Sequence, residues 1–141
     1  MSTKPIKIIK ALIERLEDAG YTVLTGKVID PKQHDLPVVA VHYTSEGRKT
    51  DRQRFPKKGS IEFAIERYFE IESDHALVEA EEHADALEKA VVHRPKRDAP
   101  DTLDGLADSV EHQKTQPISQ PEESKVGVVD MTILVTYYDE E

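Results

Sequence analysis

His75, Glu79 and His83 recur at four-residue intervals. On a helix that spacing lines them along one side, where two imidazoles and a carboxylate could hold a metal ion. No ligand from another element completes the set, and a helical histidine on a polar face is usually solvated. No metal centre and no cofactor are therefore expected. The 28 Asp and Glu residues allow many imagined acid–base pairs, and that abundance makes any one pair weak evidence for catalysis. There is no nucleophile elbow, no metalloprotease motif and no glycine-rich phosphate loop, since the six glycines are dispersed. Cysteine is absent, which removes disulfides and thiolate metal sites. No catalytic residue is assigned, and the chain is not expected to be an enzyme.

The other chemistry is electrostatic. Between Arg48 and Lys58 lie six cations (Arg48, Lys49, Arg52, Arg54, Lys57, Lys58) and one anion, Asp51, a local charge of +5 within a chain at −9 that leaves −14 elsewhere. Phe55 among those cations would suit stacking on a nucleic acid, but the acidic remainder opposes it. A basic segment on an acidic body instead suggests contact between unlike surfaces. Its natural counterpart is the acidic side of the second predicted helix, at Glu81, Glu82, Asp85 and Glu88, on a neighbouring copy.

The elements that position these groups follow from periodicity. Thr3 and Pro5 suit a helix start, and Ile6, Ile9, Ile13 and Leu16, with Leu12 beside them, mark its apolar face. Gly20 suits its end. Residues 21–29 read as a strand, and Val38–Tyr43 as a second, central one. Segment 45–59 is polar and basic and reads as a long loop. Ile61, Phe63 and Ile65 alternate with Glu62, Ala64 and Glu66, as in a strand with one face on the core. Asp74 is the expected cap of a second helix running to Val92, with Leu77, Ala80, Ala84, Leu87 and Val91 inward. Leu103–Thr115 is either a short helical face or, in its later part, a polar edge strand. Residues 116–125 read as a flexible loop. Val126–Tyr138 is a strand with Met131, Ile133, Val135 and Tyr137 on one face. Successive strands without intervening helices predict antiparallel pairing. The fold class is α+β: a mostly antiparallel sheet of four or five strands, two main helices packed on one face, and a single domain over 1–141. No apolar run approaches the roughly 20 residues that cross a bilayer, and the N-terminal residues lack a signal h-region. No membrane partner is expected.

This order of elements, with particular local sequences, resembles the tail-terminator (minor tail, or tail-completion) proteins of tailed bacteriophages. The resembling segments are Leu16-Glu17-Asp18-Ala19-Gly20 closing the first helix, Asp35-Leu36-Pro37 leading into Val38-Val39-Ala40-Val41, the helix from Asp74 to Val92, and the closing Met131-Thr132-Ile133-Leu134-Val135-Thr136-Tyr137-Tyr138. Residues 94–125 depart from the simplest pattern. The resemblance implies a structural virion protein, assembled in the host cytoplasm, that forms a hexameric ring at the head-proximal end of the tail tube. Its partners would be its own copies, the tail tube protein and a neck or connector protein. DNA would pass through the ring without specific binding, which suits an acidic wall that repels phosphate. The alternatives are another head–tail connector, such as a stopper or completion protein, or a small enzyme with an acidic site.

Overall fold

In the computed structural model, the described residues are 4–26, 37–48, 57–72, 75–93, 101–103, 105–118 and 125–139. The first element, α1 (Lys4–Asp18), buries Ile8, Leu12 and Leu16, while Ile9 and Ile13 are only partly covered. Ile6, expected inside, is 54% exposed. The apolar arc is wide enough to have two possible centres, and the neighbours it meets select the one through Ile8. Gly20 ends the helix as expected, with φ +95°. Its N–H donates to the Glu17 carbonyl at 2.9 Å and that of Tyr21 to the Leu16 carbonyl at 3.1 Å, the paired bonds of a Schellman motif.

The strands are β1 (Val23–Thr25), β2 (Val38–Arg48), β3 (Lys57–Glu70), β4 (Ser109–Ile118) and β5 (Val126–Asp139). They form one sheet in the order β1-β2-β3-β5-β4. Three of the four pairings are antiparallel. The β1–β2 pairing is parallel, which corrects the expectation for successive strands. The connection over residues 26–37 is long enough for a crossover, so no hairpin is forced. Strands take both ends of the first expected loop and the start of the second. β2 continues through Arg48 and β3 begins at Lys57; β4 continues through Gln116 and Pro117 to Ile118. Ladder bonds use backbone groups, so a polar sequence does not prevent them. Pro117 is tolerated because β4 is an edge strand.

α2 (Ala76–Val91) buries Ala80, Ala84, Leu87, Ala90 and Val91. Leu77, expected on that face, is 70% exposed in the first turn. His75 occupies the N-cap position without a side-chain cap bond, and Asp74 lies outside the described residues. Both helices join the core on one face of the sheet, against Val39, Val41, Ile61, Phe63, Ile65, Val129, Met131, Ile133, Val135 and Tyr137. On the opposite face Val38, Ala40, Tyr68, Val126 and Val128 form a smaller cluster without helical members. Among the described residues no helix is long and apolar enough to cross a membrane.

At each end of the β3–β5 ladder an aromatic ring faces a glycine: Tyr137 opposite Gly59, and Phe69 opposite Gly127. A Cβ at Gly127 would fall 2.5 Å from Phe69 Cε2, and one at Gly59 2.6 Å from the Tyr137 hydroxyl oxygen. The rings occupy the space that a side chain would need.

A carboxylate between α2 and β4 supplies a tie through the core. Asp101, only 2% exposed, receives Arg15 Nη1 at 2.5 Å on Oδ2 and Nη2 at 3.2 Å on Oδ1. The backbone N–H groups of His93 and Leu103 donate to the same carboxylate at 2.8 and 3.0 Å. Arg15 Nη1 also reaches the Val91 carbonyl at 2.8 Å, and Val110 N–H donates to the Asp101 carbonyl at 2.7 Å. Burial pushes the Asp101 carboxyl up, but Arg15 and the two N–H donors outweigh it and hold the group below its ordinary range. Its folded pKa is depressed, so its stabilisation is present above the unfolded value and lost as pH falls through the folded one. Asp101→Asn strands a buried guanidinium and should cost about 3–5 kcal/mol in urea unfolding at neutral pH, with the gap to the parent narrowing in acid. A loss under about 1 kcal/mol would show that the pair is not a structural tie.

Candidate functional site

The helix-free face carries a polar cluster at its centre. Glu66 on β3 and Asp130 on β5 are directly opposed in the ladder, with Ala40 and Gln116 as their outer partners. Directly opposed residues on one face have Cβ atoms about 4.5–5.5 Å apart. Tyr68 O–H donates to Glu66 Oε2 at 3.1 Å. His42 Nδ1 lies 3.4 Å from Glu66 Oε1, with the two side chains 25% and 12% exposed. His42 Nδ1, Glu66 Oε1 and Asp130 Oδ1 are all buried and make no hydrogen bond. Burial, and then the Glu66 carboxylate, push the Asp130 carboxyl up, against weaker pulls from His42 and Lys114. Burial and Glu66 likewise push the Tyr68 hydroxyl well up. The cluster joins two carboxylates, an imidazole and a phenolic hydroxyl. Among the described residues no three His, Cys, Asp or Glu side chains gather as a metal site requires.

Sequence reasoning placed Glu66 on the outward face of its strand but did not bring it to Asp130. The missing information was register, which alternation within each strand leaves open.

The helical histidine–glutamate set takes another arrangement. His83 is half-buried, stacked on Phe69 with ring centres 3.9 Å apart, and its Nδ1 accepts Arg67 Nε–H at 2.9 Å. The Arg67 guanidinium lies 4.5 Å over the Tyr21 ring. Glu79 Oε1 accepts the Glu72 N–H at 3.0 Å, and His75 is exposed at the helix start. Glu79 and His83 thus point to different partners.

Of the acidic interface candidates, Glu81, Glu82 and Asp85 are exposed. Asp85 pairs with Lys89 one turn on, at 2.8 Å. Glu88 instead lies 3.6 Å from His112 on β4. Of the basic candidates, Arg48, Lys57 and Lys58 lie in strands and not in a loop, with Arg48 paired to Gly59 at one end of the sheet. Lys49, Arg52 and Arg54 lie outside the described residues. The outer edge of β4 is broken by a register shift at His112/Lys114 and carries Pro117, features that discourage strand addition. Comparison with protein-family profiles and with curated proteins finds no match to this chain.

Burial, and then the Arg67 charge, hold the His83 imidazole below its ordinary value, against Glu79, Glu82 and Glu72. A depressed folded pKa means stability that is present above the unfolded histidine value and lost as pH falls through the folded one. Urea unfolding at mildly acidic pH should therefore show a loss relative to neutral pH that His83→Gln reduces. An identical loss in the variant would assign it to other groups.

Proposed function

We infer that the chain is a structural, non-enzymatic virion subunit of the tail-terminator kind. It forms a ring on the head-proximal end of a phage tail tube, ends tube growth and offers a surface to the neck. The observation that carries this reading is the placement of elements: an opening helix stopped by Gly20, a main helix after the third strand, and a long closing strand, with both helices on one sheet face. That order is the one by which the sequence resembles the family. Charge supports it. Three acidic side chains of α2 point outward, and Arg48, Lys57 and Lys58 begin and end the span that carries the other basic candidates. Opposed charges between like copies steer head-to-tail contacts, and such contacts close into rings when the rotation permits. The interrupted β4 edge directs those contacts to side-chain surfaces and away from backbone pairing. An acidic ring wall repels the phosphate backbone and lets DNA pass.

The test is light scattering over a range of concentrations with negative-stain imaging, on the chain alone and with the tube protein of the same virion. Rings of about six subunits, and tubes that stop lengthening, are the expected result. At low salt Arg52→Glu with Arg54→Glu should weaken assembly, as should Glu81→Lys with Glu82→Lys, and the combined variant should recover it. A chain that neither forms rings nor limits tube length overturns the reading.

A further inference from the structure

We propose that Asp130 carries a proton that it donates to Glu66, making the helix-free sheet face a surface whose charge is set by that one proton. Glu66 and Asp130 are Cα partners in the central ladder, and like charges directly opposed across strands destabilise a sheet. Glu66 Oε1 and Asp130 Oδ1 are both buried without a hydrogen-bond partner. Two ionised carboxylates are acceptors only, so neither can satisfy the other. One proton converts Asp130 into a donor and satisfies both oxygens at once. Glu66 is the acceptor of the pair, because its other oxygen already receives the Tyr68 hydroxyl at 3.1 Å.

The surrounding groups do not remove the need. On β2, His42 Nδ1 is 3.4 Å from Glu66 Oε1 but makes no hydrogen bond to it. On β3, Tyr68 is committed to Glu66, and Glu62 adds a further negative charge. On β4, Lys114 pulls weakly on Asp130, as His42 does from β2. No helix packs on this face among the described residues. Burial and Glu66 together exceed both pulls. Loss of the proton places a second negative charge on the same two-residue patch.

The experiment is a carboxyl-carbon NMR titration of the full chain. The Asp130 carbon should shift at a pH above the ordinary aspartate value, and Glu66→Gln should lower that midpoint. Asp130→Asn supplies the second readout. A raised folded pKa gives stability that is lost as pH rises through it, so the variant should lack the parent's decline in urea stability as pH rises from the ordinary aspartate value through the raised one. An Asp130 carbon that titrates in the ordinary range overturns the proposal, as does a midpoint indifferent to Glu66→Gln.

Discussion

β3 and β5 pair in register along their whole lengths, 14 residues each. Side chains alternate along both, so every pair across the ladder is committed to one face or the other. Ile61, Phe63, Ile65, Met131, Ile133 and Val135 fall together on one side, and two helices cover them. Glu66 and Asp130 fall together on the other. The dry core and the charged patch are consequences of one pairing. A shift of one residue would exchange them, which is why the ladder is the constraint on which the two layers depend.

The second organising contact joins parts of the chain that the sheet does not. Arg15 on α1, the end of α2 at Val91 and the turn at Asp101 meet around one carboxylate. A buried ion pair is not by itself a strong stabiliser, because both charges leave water. Its value here is geometric. Four donor N–H groups converge on Asp101 in directions that only one arrangement of α1, α2 and the β4 lead-in can satisfy.

Much of the layer arrangement was legible in the sequence. The alternation of residues 61–65 and 131–137 marks two strands and their inward faces, and Gly20 marks the end of α1. What was not legible depends on partners. Ile6 and Leu77 fit their helical stripes, yet both are exposed because no neighbour reaches them. Residues 45–48 are polar and 116–118 contain a proline, yet their backbones complete ladders. Asp101 reads as part of a charged break until the distant Arg15 is placed beside it. The Glu66–Asp130 pair requires the register of strands separated by α2 and β4, which no local pattern encodes. The charge asymmetry was legible as composition, and the structure locates the exposed acidic side of α2 while dividing Glu88 from its neighbours.

The two ring-over-glycine pairs bear on how that register is kept unique. A slip of two residues between β3 and β5 would leave every side chain on its own face, so polarity alone does not forbid it. In one direction, however, it would set Phe69 opposite Val129 and Tyr137 opposite Ile61, and press both rings against branched side chains where the native pairing offers bare backbone. Phe69 with Gly127 and Tyr137 with Gly59 thus act as stops against sliding in that direction. They remove alignments that hydrophobic patterning leaves equivalent.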